Sequence, residues 1–133
     1  MNVFSYDFTP RFADTDAAGI IHFAKTLCYV EEAEHHVLRS LGYPINPSDT
    51  TCLQWPRIAC TAEYLRPMEA FHSLKVNLTV KRLGTTSVTW HWEIHGQNHS
   101  YARGELKSVC CRISKNRMEP GPIPDDLRQA LSA

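Results

Sequence analysis

Only one stretch of this chain carries a long helical period. From His22 to Leu41, the residues Phe23, Leu27, Val30, Ala33, Val37 and Leu41 recur at spacings of three and four and form one apolar stripe. Glu31, Glu32, His35, His36 and Arg39 lie away from it. Gly42 stands where a C-cap glycine belongs, and Pro44 forbids continuation. A lone striped helix has no second long helix to pack on, so it must bury its stripe against a sheet. The rest of the chain supplies that sheet. Val3 to Arg11 reads as a strand, and so does Ile58 to Leu65, which is closed by Pro67. His72 to Leu83 places Leu74, Val76, Leu78 and Val80 on one face, and Ser87 to His95 does the same with Val88, Trp90, Trp92 and Ile94. Tyr101 to Ile113 reads as the last long strand, with adjacent Cys110 and Cys111 on opposite faces and Gly104 marking a bulge or close backbone packing. Gly84 and Gly96-Gln97-Asn98 mark tight turns, so the last three strands are antiparallel neighbours. A short helix over Asp125 to Leu131 follows Pro124. The order predicts an α+β domain over residues 1–133: one long central helix wrapped by a curled five-stranded antiparallel sheet.

At 133 residues the chain is expected to bury roughly two thirds of its unfolded surface in one core, with no disulfide or metal staple. The 14 Lys+Arg balance 14 Asp+Glu, which argues against a nucleic-acid module and against a polybasic membrane binder. The same neutrality gives little protection from self-association, so an oligomer is expected. No apolar run approaches the ~18 residues needed to span a bilayer, and Met1 to Asp7 shows no secretion signal. The cysteines, five in number and with no C-x-x-C pair, read as reduced thiols of a cytoplasmic protein.

The segment Phe12-Ala13-Asp14-Thr15-Asp16-Ala17-Ala18-Gly19-Ile20-Ile21-His22-Phe23 carries the chemistry. Two carboxylates precede a small-residue turn that feeds the helix. The first helical turn has unpaired N–H groups and a positive partial charge, which suit a developing oxyanion. A carboxylate beside such donors is what acyl transfer needs. A plainer reading stands next to this one: Asp14 and Asp16 cap the helix or form Asx turns.

This segment resembles the hotdog-fold acyl-CoA thioesterases of the 4-hydroxybenzoyl-CoA thioesterase type, whose signature is an aromatic residue and then D-x-D-x-x-G running into the long helix. The resemblance continues through Glu31-Glu32-Ala33, Glu63-Tyr64-Leu65-Arg66-Pro67, the hairpin Val80 to Ser87, and Ala102-Arg103-Gly104. Asp14 to Ala24 is most similar to the branch acting on 1,4-dihydroxy-2-naphthoyl-CoA. The resemblance implies the hotdog fold and hydrolysis of an acyl-CoA, preferably aromatic, with Asp16 as nucleophile or general base. It implies that the Phe23 N–H polarises the thioester oxygen and that Gly19 lets the chain turn. It implies a dimer or tetramer with its site between subunits; no cofactor or metal is expected. Arg66, Lys81 and Arg82 are the candidates for the CoA phosphates, alongside Arg103. Glu31 matches a position facing the cleft, set against a surface pairing with His35. His22 is a candidate substrate contact, set against a helix-start histidine. The chain departs from the family at Phe71-His72, where relatives have Gly-Asp. A short-chain acyl-CoA or acyl-carrier-protein thioesterase, and a non-catalytic acyl-CoA-binding module, are the alternatives.

Other signals are weaker. His91, Glu93 and His95 share one strand face, with ligand types that suit zinc, but neighbours on that face stand about 6.5–7 Å apart. There is no G-x-S-x-G, and no cysteine sits at the helix start.

Overall fold

The structure is a computed structural model and describes residues 2–133; Met1, where the N-terminal reading begins, lies outside the described residues. Strand β1 covers Val3–Phe8, helix α1 Phe23–Ser40, β2 Arg57–Cys60, β3 Glu63–Tyr64, β4 Leu74–Leu83, β5 Ser87–Gly96, β6 His99–Val109, β7 Cys111–Ser114, β8 Arg117–Pro120 and α2 Asp125–Ser132. A single 3₁₀ turn at Phe12–Asp14 links β1 to the segment before α1.

The main sheet runs β1-β4-β5-β6-β2, with every pair antiparallel. Strand β3 also pairs with β6, so β2 and β3 share one lane along the same edge. The five expected strands are therefore five lanes, the last one interrupted. Gly104 explains the interruption: a Cβ there would lie 2.0 Å from the Thr61 carbonyl oxygen, so the edge strand crosses β6 in direct backbone contact.

The alternation in β4 and β5 is realised as read. Leu74, Val76, Leu78, Val80, Val88, Trp90, Trp92 and Ile94 are all buried and face α1. Burying eight such side chains contributes on the order of 1.5–3 kcal/mol each before the entropy of ordering them is counted. Helix α1 ends in Gly42 at φ +90°, the left-handed cap that the sequence announces.

Four expectations needed correction. The buried face of α1 is Thr26, Tyr29, Val30, Ala33, Glu34, Val37 and Leu38, and Phe23 is 65% exposed. The stripe rotates because Tyr29 and Leu38 bury more apolar surface than Phe23, which sits in the first turn beyond the edge of the sheet. Strand β1 stops at Phe8, since Pro10 offers no N–H to the ladder. The last long strand ends at Val109 rather than Ile113. The Cys110 N–H donates to Thr86 O and the Cys111 N–H to Gln54 O, so the chain leaves β6 and starts a separate β7-β8 hairpin. Both cysteines are buried, not placed on opposite faces of one strand. The turn of that hairpin, Lys115-Asn116, has positive φ at both residues.

Candidate active site

The two carboxylates of the motif have different surroundings. Asp14 is buried. Its Oδ2 accepts from the Tyr29 hydroxyl at 2.6 Å and from Arg11 Nε at 3.2 Å. Burial and this carboxylate push the Tyr29 hydroxyl up to about 12, so it remains a donor. The backbone of Asp14 continues the anchor, its carbonyl accepting from the His22 N–H at 2.8 Å. Asp14 thus ties the turn to the helix.

Asp16 is only half-buried. Its backbone closes a tight turn: the Asp16 N–H donates to Ile20 O at 2.9 Å and the Gly19 N–H donates to Asp16 O at 3.0 Å. Gly19 has φ +79°, a conformation that disfavours any residue with a Cβ. The Ala18 N–H donates to Asp16 Oδ1 at 2.9 Å. This is the Asx turn of the plainer reading, but it occupies one carboxylate oxygen and leaves Oδ2 without a partner among the described residues.

Neither aspartate caps α1. His22 does, its Nδ1 accepting from the Ala24 N–H at 3.1 Å, with its ring stacked on Phe23. The Lys25 N–H donates to His22 O. The Phe23 N–H, between them in sequence, has no partner among the described residues.

Asp16 and Phe23 line one cavity of about 320 Å³. Ile20, Ile21, Leu65, Pro67, Met68 and Ala102 supply most of its wall, and Thr26, Tyr64, Arg66 and Tyr101 are its other polar members. The Ile21 N–H donates to Met68 O at 2.8 Å, fixing the loop after β3 against the turn. The Tyr64 hydroxyl donates to Phe23 O at 2.7 Å, holding the helix start against the edge strand.

The other sequence candidates lie elsewhere. Gly19 shapes the turn without lining the cavity, and His22 is spent on the cap. Glu31 pairs with Arg57 at 3.1 Å, not with His35. Lys81 is held by both Glu105 oxygens at 2.9 Å in a separate depression with His91 and Arg103, and Arg82 lines a third with Lys107. Arg103 pairs with Glu63. On the His91-Glu93-His95 face, His95 Nε2 meets Asn77 and Glu93 accepts from Ser100. No cluster of three or more metal-ligating side chains forms among the described residues. Within one chain, then, only Asp16, Phe23 and Arg66 of the candidates share the cavity. Thr26 and Tyr101 were not singled out from sequence. Thr26 falls at the spacing of the stripe, three residues after Phe23 and four before Val30, but as a polar side chain it adds nothing to the apolar period, and Tyr101 sits near the start of a strand, so neither position carried a signal of its own.

One long helix wrapped by a curled antiparallel sheet is the hotdog fold. The chain belongs to the thioesterase-like superfamily, whose family model matches residues 10–131. Among curated relatives, a 1,4-dihydroxy-2-naphthoyl-CoA hydrolase of Synechococcus sp. (strain WH7803) is 32% identical, the match covering 92% of this chain and 84% of that one. A protein of the same name from Prochlorococcus marinus (strain MIT 9313) is 33% identical, with 92% and 85% covered. Among solved structures, a gentisyl-coenzyme A thioesterase superposes with a TM-score of 0.84 at 26% identity, with 96% of this chain and 98% of that one covered.

Proposed function

We propose that the protein hydrolyses the thioester of an aromatic acyl-CoA, of the 1,4-dihydroxy-2-naphthoyl type, to the free acid and CoA. The observation that carries this reading is the pairing of Asp16 and the unpartnered Phe23 N–H on one mostly apolar cavity. A thioester bound with its oxygen on that donor would have its developing charge stabilised there. Asp16 either attacks the carbonyl carbon, giving an acyl anhydride that water then hydrolyses, or takes the proton of an attacking water. In both routes the C–S bond breaks and the CoA thiolate is protonated on release. A volume of about 320 Å³ suits a flat ring system, and the names of the relatives point to aromatic acyl groups.

The assembly is part of the proposal. The β2-β3 edge has no strand partner beyond β6 among the described residues, and Ile58, Tyr64 and Leu65 along it are exposed, as is the neighbouring Phe23. An open apolar edge of this kind is a pairing surface. A second copy of the chain docked there closes the cavity mouth. Arg66 then meets the CoA phosphates from within, and Lys81 and Arg82 come from the neighbouring copy. The test is a panel of aromatic and aliphatic acyl-CoAs followed by thioester absorbance. Aromatic substrates are expected to be turned over with at least about tenfold higher kcat/KM; preference for short aliphatic chains would overturn the substrate class.

A further inference from the structure

Four polar side chains are buried among the described residues: Asp14, Thr26, Glu34 and Ser108. Asp14 is held by Tyr29 and Arg11, while Glu34 and Ser108 are bonded to one another and Glu34 also to Trp90 and Arg57. Thr26 is the exception, 2% exposed and with no hydrogen bond from its hydroxyl among the described residues. A threonine inside a helix ordinarily bonds back to the carbonyl four residues earlier. That carbonyl belongs to His22 and accepts from the Lys25 N–H instead. Nor is the hydroxyl sealed in the core: the fully enclosed unpaired side-chain atoms are His35 Nε2, Trp55 Nε1, Arg57 Nε and Trp92 Nε1. Thr26 lines the Asp16 cavity, the space nearest its unpaired hydroxyl.

We propose that Thr26 selects the acyl group, by hydrogen-bonding an oxygen substituent on the ring carbon next to the one that bears the thioester. This rests on the thioesterase reading and deepens it. Thr26 follows Phe23 by three residues, on the same helix face and about 4.5 Å further along the axis. Helical side chains lean toward the N-terminus, so the hydroxyl points back toward the Phe23 N–H. A thioester held by that N–H therefore brings the nearest ring atoms against Thr26. The surrounding wall is aliphatic at Ile20, Ile21 and Met68, so a ring without an oxygen there leaves the hydroxyl buried and unpaired. Sites built to bond a substrate oxygen reject the analogue that lacks it.

The test compares 1-hydroxy-2-naphthoyl-CoA with 2-naphthoyl-CoA in wild type, Thr26→Val and Thr26→Ser. Wild type is expected to favour the hydroxylated substrate by at least about tenfold in kcat/KM, Thr26→Ser to keep the preference, and Thr26→Val to abolish it while still hydrolysing the plain ring. An unchanged ratio in Thr26→Val, or no preference in wild type, overturns the proposal. The free acids, 1-hydroxy-2-naphthoate and 2-naphthoate, are titrated in parallel by ligand fluorescence. If wild type turned over neither thioester, the thioesterase reading would fail. The binding ratio would still decide Thr26: a preference for the hydroxylated acid lost in Thr26→Val supports it, and equal affinities refute it.

Discussion

Glu34 is fully buried on the inner face of α1, with one carboxylate oxygen accepting from Trp90 Nε1 and Ser108 Oγ, both at 2.7 Å, and the other from Arg57. It ties the helix to β2, β5 and β6 at once. Removing one partner of such a buried charged network leaves the others unsatisfied. Glu34→Ala is therefore expected to lose about 3–5 kcal/mol in urea unfolding, and a loss under about 1 kcal/mol would show that the network contributes little. Nothing in the sequence marks this residue. An acidic side chain on a helix reads as solvated, and its burial depends on Arg57, Trp90 and Ser108 arriving from three other segments. Asp16 and Phe23, by contrast, reach one cavity through a local relation, the eight residues of turn and helix start from Asp16 to Phe23, and the sequence pointed to them as a pair through the family resemblance. Asp14 lay between the two cases, its position visible but its anchoring to Tyr29 not.

At the scale of elements, the strands that alternate cleanly were legible because burial on one face and solvent on the other is a period-two pattern that no helix satisfies. Strand ends were less so. The break after Val109 falls among residues of similar polarity, and its cause is a distant pair of carbonyls, Thr86 O and Gln54 O, that capture the next two N–H groups. The loop before β4 holds the clearest local strain. Phe71 has φ +75°, a left-handed conformation that favours glycine, and its ring is exposed, stacked on the equally exposed Phe12. A bulky residue in the left-handed region costs about 1–2 kcal/mol, and within one chain this exposed ring recovers little of it by burial. Phe71→Gly is expected to raise stability by about 1 kcal/mol, read as an upward shift of the urea midpoint. A fall in the midpoint would mean that the stacked pair outweighs the strain.

For the whole molecule, the proposed reaction lies where the open sheet edge, the helix start and the loop after β3 meet. The proposed assembly adds a second copy along β2 and β3 to complete that site. The wild-type protein is expected to sediment as a dimer or larger species. Ile58→Lys, which puts a charge on the exposed edge without touching Asp16, is expected to yield monomers with hydrolysis reduced at least about tenfold. A fully active monomer would contradict the shared site. The sequence suggested self-association only through its neutral charge and its family resemblance; the unpaired edge and its apolar side chains became visible once β2 and β3 were seen to share the outer lane. The most direct test of the central claim is the single-turnover hydrolysis of an aromatic acyl-CoA by wild type and Asp16→Asn, with substrate affinity measured on the same samples. A rate at least about 10²-fold lower is expected in the variant, with affinity nearly unchanged. A variant that hydrolyses as fast as wild type would remove Asp16 from the chemistry.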